Sequence, residues 1–186
     1  MGHIVADHWL KADLPTVFAF FSDPANLPRL MPRQMDVRLE SLHLRPPSDA
    51  AIQVVVQSGA FPGNEVESGE IPSKLAGPGS LIDISFRLVP FLPMRARWVA
   101  EILEYEPLSY FLDQQKSGPM RSWIHRHSFR EETRQGITGT VIRDEVAYEL
   151  PFGPLGRLAD ALLIERMMQL RHSSATTRAN LSSVIC

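Results

Sequence analysis

The sequence predicts an α+β domain in which a curved antiparallel β-sheet wraps around one long C-terminal helix. Three observations carry that expectation. Between Leu81 and Leu150 the chain is a series of alternating segments joined by short connections rich in turn residues. Beyond Gly156, as far as about Arg178, there is neither proline nor glycine, and apolar residues recur with a helical period. Ahead of the series, one strand-like segment is followed by two short helix signals.

The elements follow in order. His3–Leu10 reads as the first strand. Asp13 and Pro15 then open a helix over Pro15–Phe21, and Asp23-Pro24 repeats the signal for a second helix continuing through Asn26–Met31, which Pro32 ends. Asp36–Leu44 is a second strand, with Val37, Leu39 and Ser41 offered to one face. Residues from about 46 to 78 form an irregular insertion, bracketed by Pro46-Pro47 and Gly77-Pro78-Gly79, with a strand-like run at Ile52–Val56. It reads either as an exposed extension or as a lid over a cavity mouth.

From there the alternation is regular. Ile82, Ile84, Phe86 and Leu88 oppose Asp83, Ser85 and Arg87. Met94, Trp98, Ala100 and Ile102 oppose Arg95, Arg97 and Glu101. Tyr110–Lys116, Trp123–Glu131 and Thr138–Leu150 follow, with turns at Glu106-Pro107, Gly118-Pro119 and Gly136. In the last helix Leu155, Leu158, Ala159, Leu162, Leu163, Met167 and Leu170 make one broad stripe.

Composition sets the limits of function. The 186 residues suit one domain, 1–186, with a sizeable core. A net charge of -2 gives no electrostatic reason to expect nucleic acid as a partner. No apolar run approaches the roughly 20 residues of a membrane span. The first residues lack a basic region followed by an apolar one, so no signal peptide is expected. Cys186 is the one cysteine, which excludes an internal disulfide and fits a reducing cytoplasm. Oligomeric state is not legible.

Several stretches resemble the SRPBCC superfamily, which includes START lipid-binding domains, pollen-allergen-like proteins and polyketide cyclase/dehydrase-like proteins. They are Asp13-Leu14-Pro15-Thr16-Val17-Phe18-Ala19-Phe20-Phe21-Ser22-Asp23-Pro24-Ala25-Asn26-Leu27, Phe111-x-Asp113-x-Gln115, Gly118-Pro119, Trp123-x-His125-x-His127-x-Phe129, and the run from Asp144 through Tyr148 to Gly156. The resemblance is to a bacterial ligand-binding branch and covers nearly the whole chain. It implies the helix-grip fold and a ligand-sized cavity; separately, the sequence holds no Walker A loop and no Rossmann glycine fingerprint, and no cofactor is expected. The resemblance does not imply one activity, because the fold hosts carriers, receptors and enzymes. The 46–78 connection looks longer than in typical members.

The chemistry concentrates in the second half. Trp123, His125, His127 and Phe129 share one strand face, against Ile124, Arg126, Ser128 and Arg130. Ile142, Asp144, Val146, Tyr148 and Leu150 share a face of the next strand, so Asp144 is a carboxylate in a mostly apolar row. A loop spanning about 132–137 would pair Glu131 with Thr138, and hence His127 with Ile142, His125 with Asp144 and Trp123 with Val146. His125 and Asp144 would then be hydrogen-bonded neighbours. Periodicity alone cannot choose between Tyr110/Leu112 and Phe111/Asp113/Gln115 as the inner set; the resemblance favours the latter. Arg166 falls within the apolar stripe at 100° per residue, where its head either snorkels to solvent or points inward as a cation.

Three readings of the His/Asp group are open: a satisfied polar network that fixes the strands, the polar end of a ligand cavity, or a catalytic or metal site. His-x-His suits metal ligation, but no HExxH or cysteine pair completes a set, and a third ligand would have to be Asp144 or Asp113, so no metal is expected. The favoured reading is a protein that binds a small, largely apolar molecule (lipid-like, aromatic or polyketide-like). Trp98, Phe111, Trp123, Phe129, Tyr148 and Leu162 would form the walls; Asp113, Gln115, His125, His127, Asp144 and Arg166 would meet polar groups. The alternatives are a cyclase/dehydratase-type enzyme using His125 held by Asp144 as acid and base, and a non-enzymatic interaction domain using the insertion.

Overall fold

A computed structural model of the chain describes residues 1–61, 74–87 and 94–151. Seven strands form one antiparallel sheet: β1 Gly2–Leu10, β2 Arg38–His43, β3 Leu81–Arg87, β4 Arg95–Glu106, β5 Tyr110–Ser117, β6 Ser122–Arg134 and β7 Ile137–Glu149. Their order across the sheet is β1-β7-β6-β5-β4-β3-β2. The second half is thus a meander, and the first strand returns to pair with the last. The expected C-terminal helix, with Leu155, Leu162, Arg166 and Leu170, lies outside the described residues.

Helix α1 spans Leu14–Ser22; Asp13 caps it by accepting from Thr16 N at 2.9 Å. A short 3-10 turn at Pro24–Asn26 leads into α2, Leu27–Leu30. α1 lays Phe18, fully buried, against the inner face of the sheet, edge-on to Tyr105, Phe111 and Phe129 with ring centroids 5.2–6.5 Å apart. Leu10, Val17, Ile84, Phe86, Ile102 and Ile142 complete that core.

Two expectations need correction. Ile52–Val56 is not a strand but part of α3, Asp49–Gln57. Ser48 caps it by accepting from Ala51 N, and Ile52 and Val55, three apart, are buried, Ile52 against Leu75. A short β-branched run reads as strand by propensity; the cap and the helical spacing of its contacts decide otherwise. The 46–78 stretch is therefore not wholly irregular. Its return is tied to the core by Ala76 N to Ser22 O at 3.1 Å and Gly77 N to Arg45 O at 2.8 Å.

Second, β2 starts later than expected, because Asp36 takes a left-handed conformation (φ 43°) at the end of a 3-10 turn. A register shift between Leu39 and Ser41 sets Leu39 beside Ile84 but Ser41 beside Asp83, so the two do not share a face. The polar side of β3 is covered as well. Asp83 and Ser85 are buried under arginines: Arg97 Nε donates to Asp83 Oδ1 at 3.0 Å, and Arg95 Nε to Ser85 Oγ at 2.9 Å.

Candidate functional site

The site lies on the inner face of β5, β6 and β7, and a two-residue turn positions it. Gln135 and Gly136 join β6 to β7 with φ of 51° and 78°, the left-handed pair of a type I′ turn. Arg134 consequently pairs with Ile137, and the register runs Glu131 with Thr140, Phe129 with Ile142, His127 with Asp144, His125 with Val146 and Trp123 with Tyr148. The register expected from a longer loop is displaced by two residues. A shift of two keeps every side chain on its face but changes its partner. His127, rather than His125, is the direct cross-strand neighbour of Asp144.

On β5, Asp113 is opposite His125 and Phe111 opposite His127. Two carboxylates thus flank two imidazoles. His127 Nδ1 lies 2.7 Å from Asp144 Oδ1, and His125 Nε2 lies 3.4 Å from the same oxygen. On the other side, His125 Nδ1 and His127 Nε2 each lie 3.8 Å from Asp113 Oδ2. The imidazoles lean on each other with ring centroids 3.8 Å apart. The four side chains are only 14–18% exposed.

Despite the short distances, His125 Nε2, His127 Nδ1 and Asp144 Oδ1 are shielded from solvent without an in-line hydrogen bond. The attraction there is chiefly one of charge and dipole. Burial opposes the Asp144 charge, but the polar and coulombic pull of His125 and His127 outweighs it and holds the carboxyl well below its usual range. Asp113 goes the opposite way. Burial pushes it up to about 6, with His125 opposing and Asp144 adding to the rise.

His8 is a group that the sequence reading missed. β1 pairs Ala6 with Asp144 and His8 with Ile142, so His8 shares the inner face, and its Nε2 lies 3.9 Å from Asp144 Oδ2. The signal was present in the alternation Ile4, Ala6, His8, Leu10, but nothing local showed that β1 would lie beside β7.

Apolar groups lie on both sides of the cluster. Phe111 and Phe129 are core residues beneath α1, with Phe111 4.6 Å and Phe21 6.2 Å from the His127 ring. Trp98 and Trp123 meet edge-to-face at 5.2 Å, and Trp123 lies 6.2 Å from Tyr148. Tyr148 is buried with Ile4 and Val146. Gln115 does not join the polar group. Its amide clamps the Gly118-Pro119 turn, donating to Met120 O at 2.7 Å and accepting from Met120 N at 3.2 Å. Leu162 and Arg166 lie outside the described residues. Among the described residues no helix is long and apolar enough to cross a membrane.

No family model and no curated protein matches the chain. Solved structures do match over nearly its whole length. A START superfamily protein from Mycobacterium smegmatis is 10% identical with a TM-score of 0.57, each chain covered to 98%. TTHA0849 from Thermus thermophilus is 16% identical with a TM-score of 0.55, covering 98% of this chain and 99% of the other. Ara h 8.0201 is 9% identical with a TM-score of 0.52, covering 99% and 97%. At such identities the likeness is one of fold, and the chain has the helix-grip fold of the START-like SRPBCC proteins.

Proposed function

We propose that the inner face of the sheet takes up a small, largely apolar molecule whose polar end meets the His/Asp group. The observation that carries this reading is the placement of Asp113, His125, His127 and Asp144 between two apolar patches, Phe111/Phe129 and Trp98/Trp123/Tyr148. Isolated charges in such surroundings are costly, and a polar group on an apolar ligand gives them a use. The shared fold supports the reading, since a sheet that presents one face to a helix suits an internal site.

A second reading is an acid/base enzyme of the cyclase/dehydratase kind. The 2.7 Å approach of Asp144 to Nδ1 of His127 favours it and moves the role from His125 to His127, whose other nitrogen faces away from Asp144. Native mass spectrometry of protein purified from its source tests the first reading through a retained small molecule. The His125→Ala and His127→Ala variants then separate the two. A carrier loses affinity for that molecule; an enzyme keeps affinity and loses turnover.

A further inference from the structure

We propose that Asp113, His125 and His127 form a three-donor site for a divalent first-row transition ion, with Asp144 behind both imidazoles as the carboxylate that orients them. The inference goes beyond the apolar-ligand reading and stands without it.

The geometry begins with strand alternation. His125 and His127, two apart on β6, project from one face, and the β5 register sets Asp113 beside them. The candidate ligand atoms of these three residues all lie within 4.8 Å of one another, the one such group among the described residues. The 3.8 Å from Asp113 Oδ2 to each facing imidazole nitrogen is too long for a hydrogen bond. It is close to what one ion requires: donors at about 2.1 Å from a metal lie roughly 3.4 Å apart at a tetrahedral angle. Each of those two separations would shorten by about 0.4 Å on ligation.

The orientation of the rings is the second, independent observation. Each imidazole turns one nitrogen to Asp113 and the other to Asp144. A carboxylate on the far nitrogen of a ligating histidine sets the ring's tautomer and raises the basicity of the ligating nitrogen. Asp144 Oδ1 stands beside the far nitrogens of both rings, at 2.7 and 3.4 Å, placed for that role. Two imidazoles and one carboxylate, with no thiolate, suit Zn²⁺, Co²⁺, Fe²⁺ or Ni²⁺ and leave a coordination position for water or for an oxygen of a bound molecule. No metal was expected from the sequence, which left the third ligand open between Asp144 and Asp113; the strand register sets Asp113 opposite His125.

The test uses the full chain, stripped with a chelator and titrated with Zn²⁺ and with Co²⁺. The expected result is one equivalent bound by calorimetry, ligand-field bands for Co²⁺, and Zn²⁺-induced ¹⁵N shifts at His125 Nδ1 and His127 Nε2. Asp113→Asn and His127→Gln should abolish that equivalent, while Asp144→Asn should weaken it roughly 10–100-fold. Asp113→Asn is nearly isosteric, so it remains informative where a histidine variant fails to fold, and circular dichroism checks each variant. The proposal is overturned if no saturable binding occurs at micromolar ion, or if the bound equivalent survives in both Asp113→Asn and His127→Gln. Failure here with an apolar molecule still retained in native mass spectrometry removes the ion and leaves the ligand reading intact. A bound ion with no retained molecule does the reverse.

Discussion

His127 Nδ1 stands 2.7 Å from Asp144 Oδ1, and the two residues are direct cross-strand partners on β6 and β7. This contact sets the chemistry of the inner face, because His125 and His8 approach the same carboxylate from greater distances.

Removing the carboxylate should therefore be felt at His127 before His125. Asp144→Ala leaves buried imidazole nitrogens without the carboxylate they face and should destabilise the fold by about 1–3 kcal/mol. Asp144→Asn should retain the shape and change the His127 tautomer. Long-range ¹H–¹⁵N correlation spectra of the two imidazoles provide the measurement; a His127 spectrum identical to wild type would dissolve the pairing.

Phe18 is fully buried among Tyr105, Phe111 and Phe129. Phe18→Ala should cost about 3–5 kcal/mol, through lost transfer energy and the cavity left behind. Chemical denaturation would show this as a lower midpoint with an unchanged slope. Because Phe111 packs on His127, the same variant should also perturb the imidazole signals.

The β6–β7 turn should tolerate little at its second position. Gly136 has a φ of 78° and nothing near the place a Cβ would take, so any penalty is conformational rather than steric crowding by neighbours. Gly136→Val should destabilise by roughly 1–2 kcal/mol. Amide hydrogen exchange should rise first at Arg134 and Ile137, the closing pair; unchanged protection there would contradict the two-residue turn.

Acid should weaken the Asp83–Arg97 clamp. The hydrogen bonds from Arg97 outweigh burial and lower the Asp83 pKa below its ordinary 3.8. A lowered folded-state value means that the contribution to stability is fully present above the unfolded-state pKa. It is lost as pH falls through the folded-state pKa, below 3.8. Wild-type protein should lose stability across that acid window, and Asp83→Asn, which cannot titrate, should show a flatter profile there. Equal acid slopes in urea melts of the two proteins would rule the clamp out as a source of pH dependence.

The sequence by itself determined which residues share a face on β6 and β7. Alternation of Trp123, His125, His127 and Phe129, and of Ile142, Asp144, Val146 and Tyr148, is a local property of extended backbone, legible without knowing any partner. The cap at Asp13, the meander and the short helices were legible for the same reason, since each depends on neighbours in the chain. Partnership was not. A two-residue turn at Gln135-Gly136 instead of a longer loop moved the register by two and gave Asp144 to His127. The pairing of β1 with β7, which brings His8 to the site, joins residues 130 or more positions apart and has no local signature. At Ile52–Val56, propensity and packing disagreed, and packing on Leu75 decided. Asp113, opposite in charge behaviour to Asp144 though identical in type, makes the same point. Its burial and its distance from two imidazoles exist only once three strands are aligned, because the energies of charged groups depend on what surrounds them in space.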